Sequence, residues 1–234
     1  MVSRVYGMPY SRHGLEEGLV PFLPEGRPIT LVDVGASAGD FTAVVAAHSG
    51  IARALLVEPL PKRCRQLEAR YADPRFVIRQ CAVSDSAGSS HFDVLQFDYS
   101  SSILPALPEV GGAGDRLDLR VQERIPVELR TLDELVPGAG LDGPIDLLKI
   151  DTQAAELQVL RGATTILPRV RIIWAEVSFR ALYEGSALFA DVHAFLNTQG
   201  FRLYSIHEGF RGVDGELLQA DVLYLGAGVP ARTS

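Results

Sequence analysis

Leu31-Val32-Asp33-Val34-Gly35-Ala36-Ser37-Ala38-Gly39-Asp40-Phe41-Thr42 reads as a strand, a glycine turn and a helix start. Glycine has no Cβ and tolerates positive φ, so such a turn lets backbone approach a ligand closely. The next apolar run, Ala54-Leu55-Leu56-Val57, ends in Glu58. A carboxylate roughly 20 residues beyond the glycines is placed to accept hydrogen bonds from ribose hydroxyls. Together they predict a nucleoside site in a Rossmann-like α/β sheet. A glycine turn that merely links strand to helix is the plainer alternative.

The spacing narrows the nucleoside. The glycines stand as Gly-x-x-x-Gly, so the dinucleotide pattern Gly-x-Gly-x-x-Gly and the P-loop lysine are both absent. No Lys or Arg occurs from Leu31 to Ala52, and Asp33 and Asp40 flank the turn. Two carboxylates repel a pyrophosphate but suit a sulfonium and an α-ammonium. S-adenosylmethionine therefore fits better than NAD, and an NAD-dependent oxidoreductase is disfavoured.

Apolar runs predict strands at 29–34, 53–58, 76–83, 145–150, 171–177, 201–206 and 219–225. Helices are expected at about 39–49, 61–72, 154–167 and 187–199. Such alternation implies a mostly parallel sheet with helices on both faces and ligands at the strands' carboxyl ends. The turn Gly212-Val213-Asp214-Gly215 makes the last strand antiparallel. Residues 1–28 read as an N-terminal extension with a short helix from Ser11 to Val20, and 29–234 as one domain. An insertion spans about 84–144: two strand-like stretches, Ser89–Leu95 and Arg124–Leu129, flank Ser100-Ser101-Ser102 and Gly111-Gly112-Ala113-Gly114. That loop is either a substrate lid or a simple solvent loop.

The 234 residues, 47% of them hydrophobic, suffice for one domain with a real core. A net charge of −7 argues against nucleic acid as a partner. The first residues carry no long apolar run, and no stretch approaches a membrane span, so the expected location is the cytoplasm, with no membrane partner. Cys64 and Cys81, the only cysteines, make neither a disulfide framework nor a zinc cluster.

A second signature runs from Asp146 through Lys149-Ile150-Asp151-Thr152-Gln153-Ala154-Ala155-Glu156 to Gly162. Asp151 ends a buried strand, and Glu156 sits in the first turn of the following helix, where its charge complements the helix dipole. This segment resembles the motif of the FkbM-like methyltransferases, approximately Lys-Ile-Asp-x-Gln-Gly-x-Glu-x-x-Val-Leu-x-Gly. The turn at 33–42 and Cys81-Ala82-Val83-Ser84-Asp85 are similar to two further motifs of that family, and the resemblance covers about residues 29–206. Ala154 stands where the family has glycine.

The resemblance implies a class I methyltransferase fold: a seven-stranded sheet with an antiparallel last strand. It also implies S-adenosylmethionine-dependent methylation of a hydroxyl on a sugar, oligosaccharide or natural product. By motif position Gly35, Ala36 and Gly39 face the cofactor, Asp33 lies near its methionine end, Glu58 holds the ribose, and Ala82 and Asp85 surround the adenine. Asp85 also suits a plain turn before Ala87-Gly88.

For the chemistry, an alcohol must lose its proton near the transition state, to a carboxylate, to a histidine or with help from a divalent metal. Asp151 and Glu176 end neighbouring strands, so both point into one rim, where they are candidates for the base or for two ligands of a Mg²⁺ ion. His193 and His207 are further catalytic candidates. Tyr183 is expected either to stack on a sugar ring or to pack, and Trp174 to lie in the core. A non-catalytic nucleoside-binding domain, or an amide or polyketide acceptor, are the competing readings; an oligomer is compatible with all of them.

Overall fold

The computed structural model describes residues 18–95, 101–107, 120–212 and 214–230. Ten strands and five helices alternate through them: β1 (Ile29–Val34), α1 (Asp40–Ser49), β2 (Ile51–Val57), α2 (Pro61–Arg70), β3 (Phe76–Arg79), β4 (Ala82–Val83), β5 (Gly88–Leu95), β6 (Val121–Arg130), α3 (Leu132–Gly138), β7 (Ile145–Ile150), α4 (Glu156–Arg161), β8 (Val170–Ser178), α5 (Phe189–Thr198), β9 (Arg202–Glu208) and β10 (Gln219–Leu225).

Seven strands form the main sheet in the order β3-β2-β1-β7-β8-β10-β9. Neighbours from β3 to β8 are parallel, and β10 runs antiparallel to both β8 and β9. The fold is the α/β class expected, antiparallel last strand included. Successive residues of the central strands bury to opposite faces. Val32, Leu55, Leu148 and Ile173 pack under α3, α4 and α5, while Leu31, Leu56, Leu147 and Trp174 pack under α1 and α2. Both faces being covered, these strands read as continuous apolar runs rather than as alternation.

Three differences from the sequence reading have physical causes. The single strand expected at 76–83 is two strands in two sheets. β3 edges the main sheet, while β4 joins a small sheet, β4-β6-β5. Cys81, Ala82 and Val83 are all buried, but Ala82 packs with Leu60, Phe92 and Val127 whereas Cys81 and Val83 join the main core. The chain changes sheets there, with Ala82 facing the small sheet's core and Cys81 and Val83 the main one. The helix expected at 154–167 is only Glu156–Arg161, because Gln153 and Ala154 have positive φ. At its other end a Cβ on Gly162 would strike the Ser84 carbonyl. α3 was not expected, though its start carries a capping box: Thr131 Oγ1 accepts from the Glu134 N–H at 3.2 Å and the Glu134 carboxylate reaches back to the Thr131 N–H.

β5 and β6 pair antiparallel, as the insertion's two strand-like stretches suggested. The glycine-rich stretch 111–114 and the body of the expected Ser11–Val20 helix lie outside the described residues. Within them, Val20–Phe22 forms one 3₁₀ turn, and Leu19 and Leu23 bury into the core beneath α1, so this end of the extension is part of the domain's packing. Among the described residues no helix is long and apolar enough to cross a membrane.

Candidate active site

Strand register assembles the site. Lys149 on β7 lies between Asp33 of β1 and Trp174 of β8. Two residues further along the same face come Asp151 and Glu176, and Asp221 on β10 sits opposite Glu176 on one side and His207 on the other. A row of carboxylates thus crosses the carboxyl rim, with one buried ammonium beneath it.

On the cofactor side, Gly35 and Gly39 have φ of 74° and 83°, and Ser37 between them has 48°. The space beside each glycine is filled by the protein itself. A Cβ on Gly35 would strike the Asp151 backbone carbonyl, and one on Gly39 would meet the Tyr71 ring and Leu67. Tyr71 also donates its hydroxyl to the Gly39 carbonyl at 2.6 Å. Ala36 is buried at the core edge, its N–H on the Val57 carbonyl.

Glu58 is 5% exposed and closes the turn: its Oε2 accepts from the Ser37 N–H at 2.8 Å and its Oε1 from the Leu60 N–H at 2.9 Å. Burial pushes its pKa up to about 7, against the pull of those two N–H groups. Each oxygen has a second acceptor direction. Acceptors at Glu58, with no Lys or Arg in the turn, fit a ribose and a cationic sulfonium.

Asp33 lies beneath the turn, fully buried. Thr42 Oγ1 donates to its Oδ2 at 2.7 Å, and Lys149 Nζ stands 3.3 Å from Oδ1. Lys149 Nζ donates to the Gly35 carbonyl at 2.6 Å and lies 3.6 Å from Asp151 Oδ2. It ties glycine turn to rim. Ala82 is buried in the small sheet, while Asp85 is exposed and accepts from Ser86 Oγ at 3.2 Å.

On the acceptor side, Gln153 Nε2 donates to Asp151 Oδ1 at 3.0 Å and to Glu176 Oε2 at 2.8 Å. Gln219 Nε2 donates to the same Glu176 oxygen at 2.9 Å. The Tyr183 hydroxyl lies 3.4 Å from Gln153 Oε1, and the amide nitrogen faces the carboxylates. Burial, then the charges of Asp151, Asp221 and Glu156, hold the Glu176 pKa well above the carboxylate range. Burial, then Asp151, lifts Asp221 to about 8.

Glu156 does more than face a helix dipole. It is buried, and its Oε1 accepts from the Thr152 N–H, the Thr152 hydroxyl and the Ala154 N–H at 2.9, 3.0 and 3.2 Å. It folds the β7–α4 loop around itself.

The expected Mg²⁺ ligands do not fit that ion as arranged. N–H donors from two glutamines address the Asp151–Glu176 pair, and a hard cation needs oxygen ligands there. Among the described residues no group of three or more His, Cys, Asp or Glu is disposed around a metal. Two further candidates are engaged by neighbouring side chains. His193 lies on α5, its Nδ1 3.2 Å from the Tyr224 hydroxyl and its ring stacked on Phe189. His207 is on the rim face, but its Nε2 is 2.8 Å from Ser205 Oγ and its ring stacks on Trp174 under Gly18. Tyr183 is 1% exposed, so its ring packs and is not offered to a sugar, and Trp174 is core. Lys149, Gln153, Gln219 and Asp221 were missed. Lys149 and Gln153 stood at motif positions without a role being read for them, and an Asp inside the apolar run Ala220–Leu225 was a further legible signal.

A family model described as Methyltransferase FkbM domain matches residues 33–203. The chain belongs to the FkbM methyltransferase family. It is thus an S-adenosylmethionine-dependent methyltransferase. The 2-O-methyltransferase NoeI of Sinorhizobium fredii is 29% identical over 90% of this chain and 86% of its own. AmbE, the AMB antimetabolite synthetase of Pseudomonas aeruginosa, is 34% identical over 72% of this chain, which spans only 9% of AmbE. An FkbM methyltransferase crystal structure from Methylobacillus flagellatus matches with a TM-score of 0.56 at 16% identity, over 85% of this chain and 43% of that one. Magnesium protoporphyrin IX methyltransferase from Synechocystis, with bound S-adenosylmethionine, matches at 0.51 and 10% identity, over 96% and 88%. The two structures establish the fold alone.

Proposed function

We propose that the chain methylates a hydroxyl oxygen of a sugar, an oligosaccharide or another natural product, with Asp151 as proton acceptor. The observation that carries this is the position of Asp151. Its backbone abuts Gly35 of the cofactor turn, while its carboxylate, 15% exposed, opens on the rim. NoeI, a 2-O-methyltransferase, supports oxygen as the acceptor atom.

S-adenosylmethionine supplies a methyl already activated on sulfur, so placing the acceptor behind it is the largest requirement. Glu58, the Ser37 turn and the Gly35 backbone hold the nucleoside half. The acceptor oxygen bonds to the methyl carbon as the carbon–sulfur bond breaks, leaving its electron pair on sulfur. The hydroxyl proton passes to Asp151 and then to solvent at the exposed rim. Glu176, deeper and reluctant to ionise, orients rather than accepts. No step passes through Mg²⁺. The acidic rim favours a neutral or cationic acceptor.

The test is transfer from tritium-labelled S-adenosylmethionine to a panel of free sugars, neutral oligosaccharides and polyhydroxylated polyketides, with simple amides and amines alongside. Label in alkali-stable ethers of the hydroxyl compounds is expected. Label confined to nitrogen acceptors, or an absence of S-adenosylhomocysteine binding, would overturn the proposal.

A further inference from the structure

Gln153 is held in a conformation that its own chemistry disfavours. It and Ala154 have φ of 53° and 77°, consecutive left-handed residues without glycine. Such strain persists only where surroundings impose it. Here they come from four segments. Ser102 Oγ donates to the Gln153 carbonyl at 2.7 Å, and Glu156 fixes the N–H groups on both sides of it. Tyr183 takes Oε1, and the carboxylates of Asp151 and Glu176 take Nε2.

Ser102 belongs to a strut. Residues 101–107 bridge the small sheet and the loop after β8: Ser102 pairs with Asp93, Ala106 pairs with Tyr183, and the Leu107 N–H donates to the Leu182 carbonyl at 2.9 Å. Leu95, Leu182, Tyr183 and Leu218 pack around Ala154, with Leu104 and Leu107 against them. The insertion therefore reaches the acceptor rim through Gln153.

We propose that Gln153 is a positioning residue of methyl transfer: its amide fixes the Asp151 carboxylate toward the acceptor oxygen, and the 101–107 strut fixes Gln153. This rests on Asp151 being the proton acceptor. Gln153 itself touches neither proton nor methyl. A side chain that only supports the fold would show itself in stability and cofactor affinity. One that aims a base shows itself in kcat.

Asparagine keeps the amide and tolerates left-handed φ but is one methylene too short. Gln153→Asn therefore separates aim from strain, and Gln153→Ala removes the amide. In both, kcat on the panel compound with the highest wild-type turnover should fall at least about tenfold, as for a lost transition-state contact. KM for S-adenosylmethionine and S-adenosylhomocysteine affinity should stay within about twofold. Ser102→Ala should lower kcat in the same direction by less. A Gln153→Asn enzyme with wild-type kcat, or variants whose loss lies wholly in cofactor affinity, would overturn the proposal. A second reading needs no acceptor. In ¹⁵N-glutamine-labelled full-length protein with S-adenosylhomocysteine, the Gln153 side-chain amide protons should shift in both Asp151→Asn and Glu176→Gln. Indifference to both substitutions refutes the positioning role. Failure of the wild type to methylate any hydroxyl refutes the proposed function instead.

Discussion

Gln153 donates its side-chain amide to Glu176 at 2.8 Å, and the same nitrogen reaches Asp151. Neighbouring strand-end carboxylates repel unless a cation, a proton or a donor intervenes. Here a neutral donor stands between them, and burial keeps Glu176 toward its protonated form. Methyl transfer should therefore proceed unchanged after dialysis against EDTA. Loss of turnover restored by Mg²⁺ would show that the ion displaces Gln153.

Glu58, its pKa raised by burial to about 7, is expected to make cofactor binding pH-dependent. If Glu58 takes the ribose, as proposed, the hydroxyls donate to its charged form, so binding favours ionisation and affinity should fall as pH drops below about 7. The limit is about tenfold per pH unit for one linked proton. Calorimetric titration of S-adenosylhomocysteine from pH 8 to pH 6 checks this, and Glu58→Gln should flatten the profile while weakening binding by about 1–3 kcal/mol.

The carboxylate row also sets the pH dependence of stability. Asp221 has a folded pKa of about 8 against an ordinary 3.8, and Glu58 and Glu156 sit near 7 against 4.5. The folded state then holds protons that the unfolded chain has released. That contribution is complete only below about pH 4 and is lost progressively as pH rises from there through 7 to 8. The free protein should melt higher at pH 6 than at pH 8.5. Asp221→Asn, which mimics the protonated form, should raise Tm at both pH values and more at pH 8.5 than at pH 6, with each kcal/mol worth about 2–4 °C.

The glycine turn and Ala154 make a contrasting pair. Gly35→Ala should both destabilise and abolish cofactor binding, because its Cβ meets the Asp151 backbone and its φ is 74°. Ala154→Gly relieves a left-handed alanine, worth about 1–2 kcal/mol. It also loses a buried methyl, about 0.8 kcal/mol, and adds about 0.5–1 kcal/mol of unfolded-chain entropy. These nearly cancel, so denaturant unfolding should show a change under about 1 kcal/mol.

Much of this site was legible in the sequence. β1, β7 and β10 were read to the residue because each apolar run has sharp ends. The glycine turn and Glu58 were readable because their chemistry is local. The split of β3 from β4 was not, since apolarity does not say which of two cores takes Cys81, Ala82 and Val83. Gln153 and Lys149 stood out as motif positions, but their roles were opaque for a deeper reason. An amide or an ammonium acquires its role from partners distant in the chain, such as Asp33, Glu176 and Tyr183, and from a backbone turn that no side-chain pattern announces.

Asp151 can be examined by comparing Asp151→Asn with wild type in one assay of labelled methyl transfer and one of S-adenosylhomocysteine binding. The asparagine keeps the shape and the contact of the backbone carbonyl with Gly35, but takes up no proton. A general base contributes typically 10²–10⁴-fold, so turnover should fall by about that factor with cofactor affinity held within about threefold. Turnover near that of wild type, with binding intact, would contradict Asp151 as the proton acceptor.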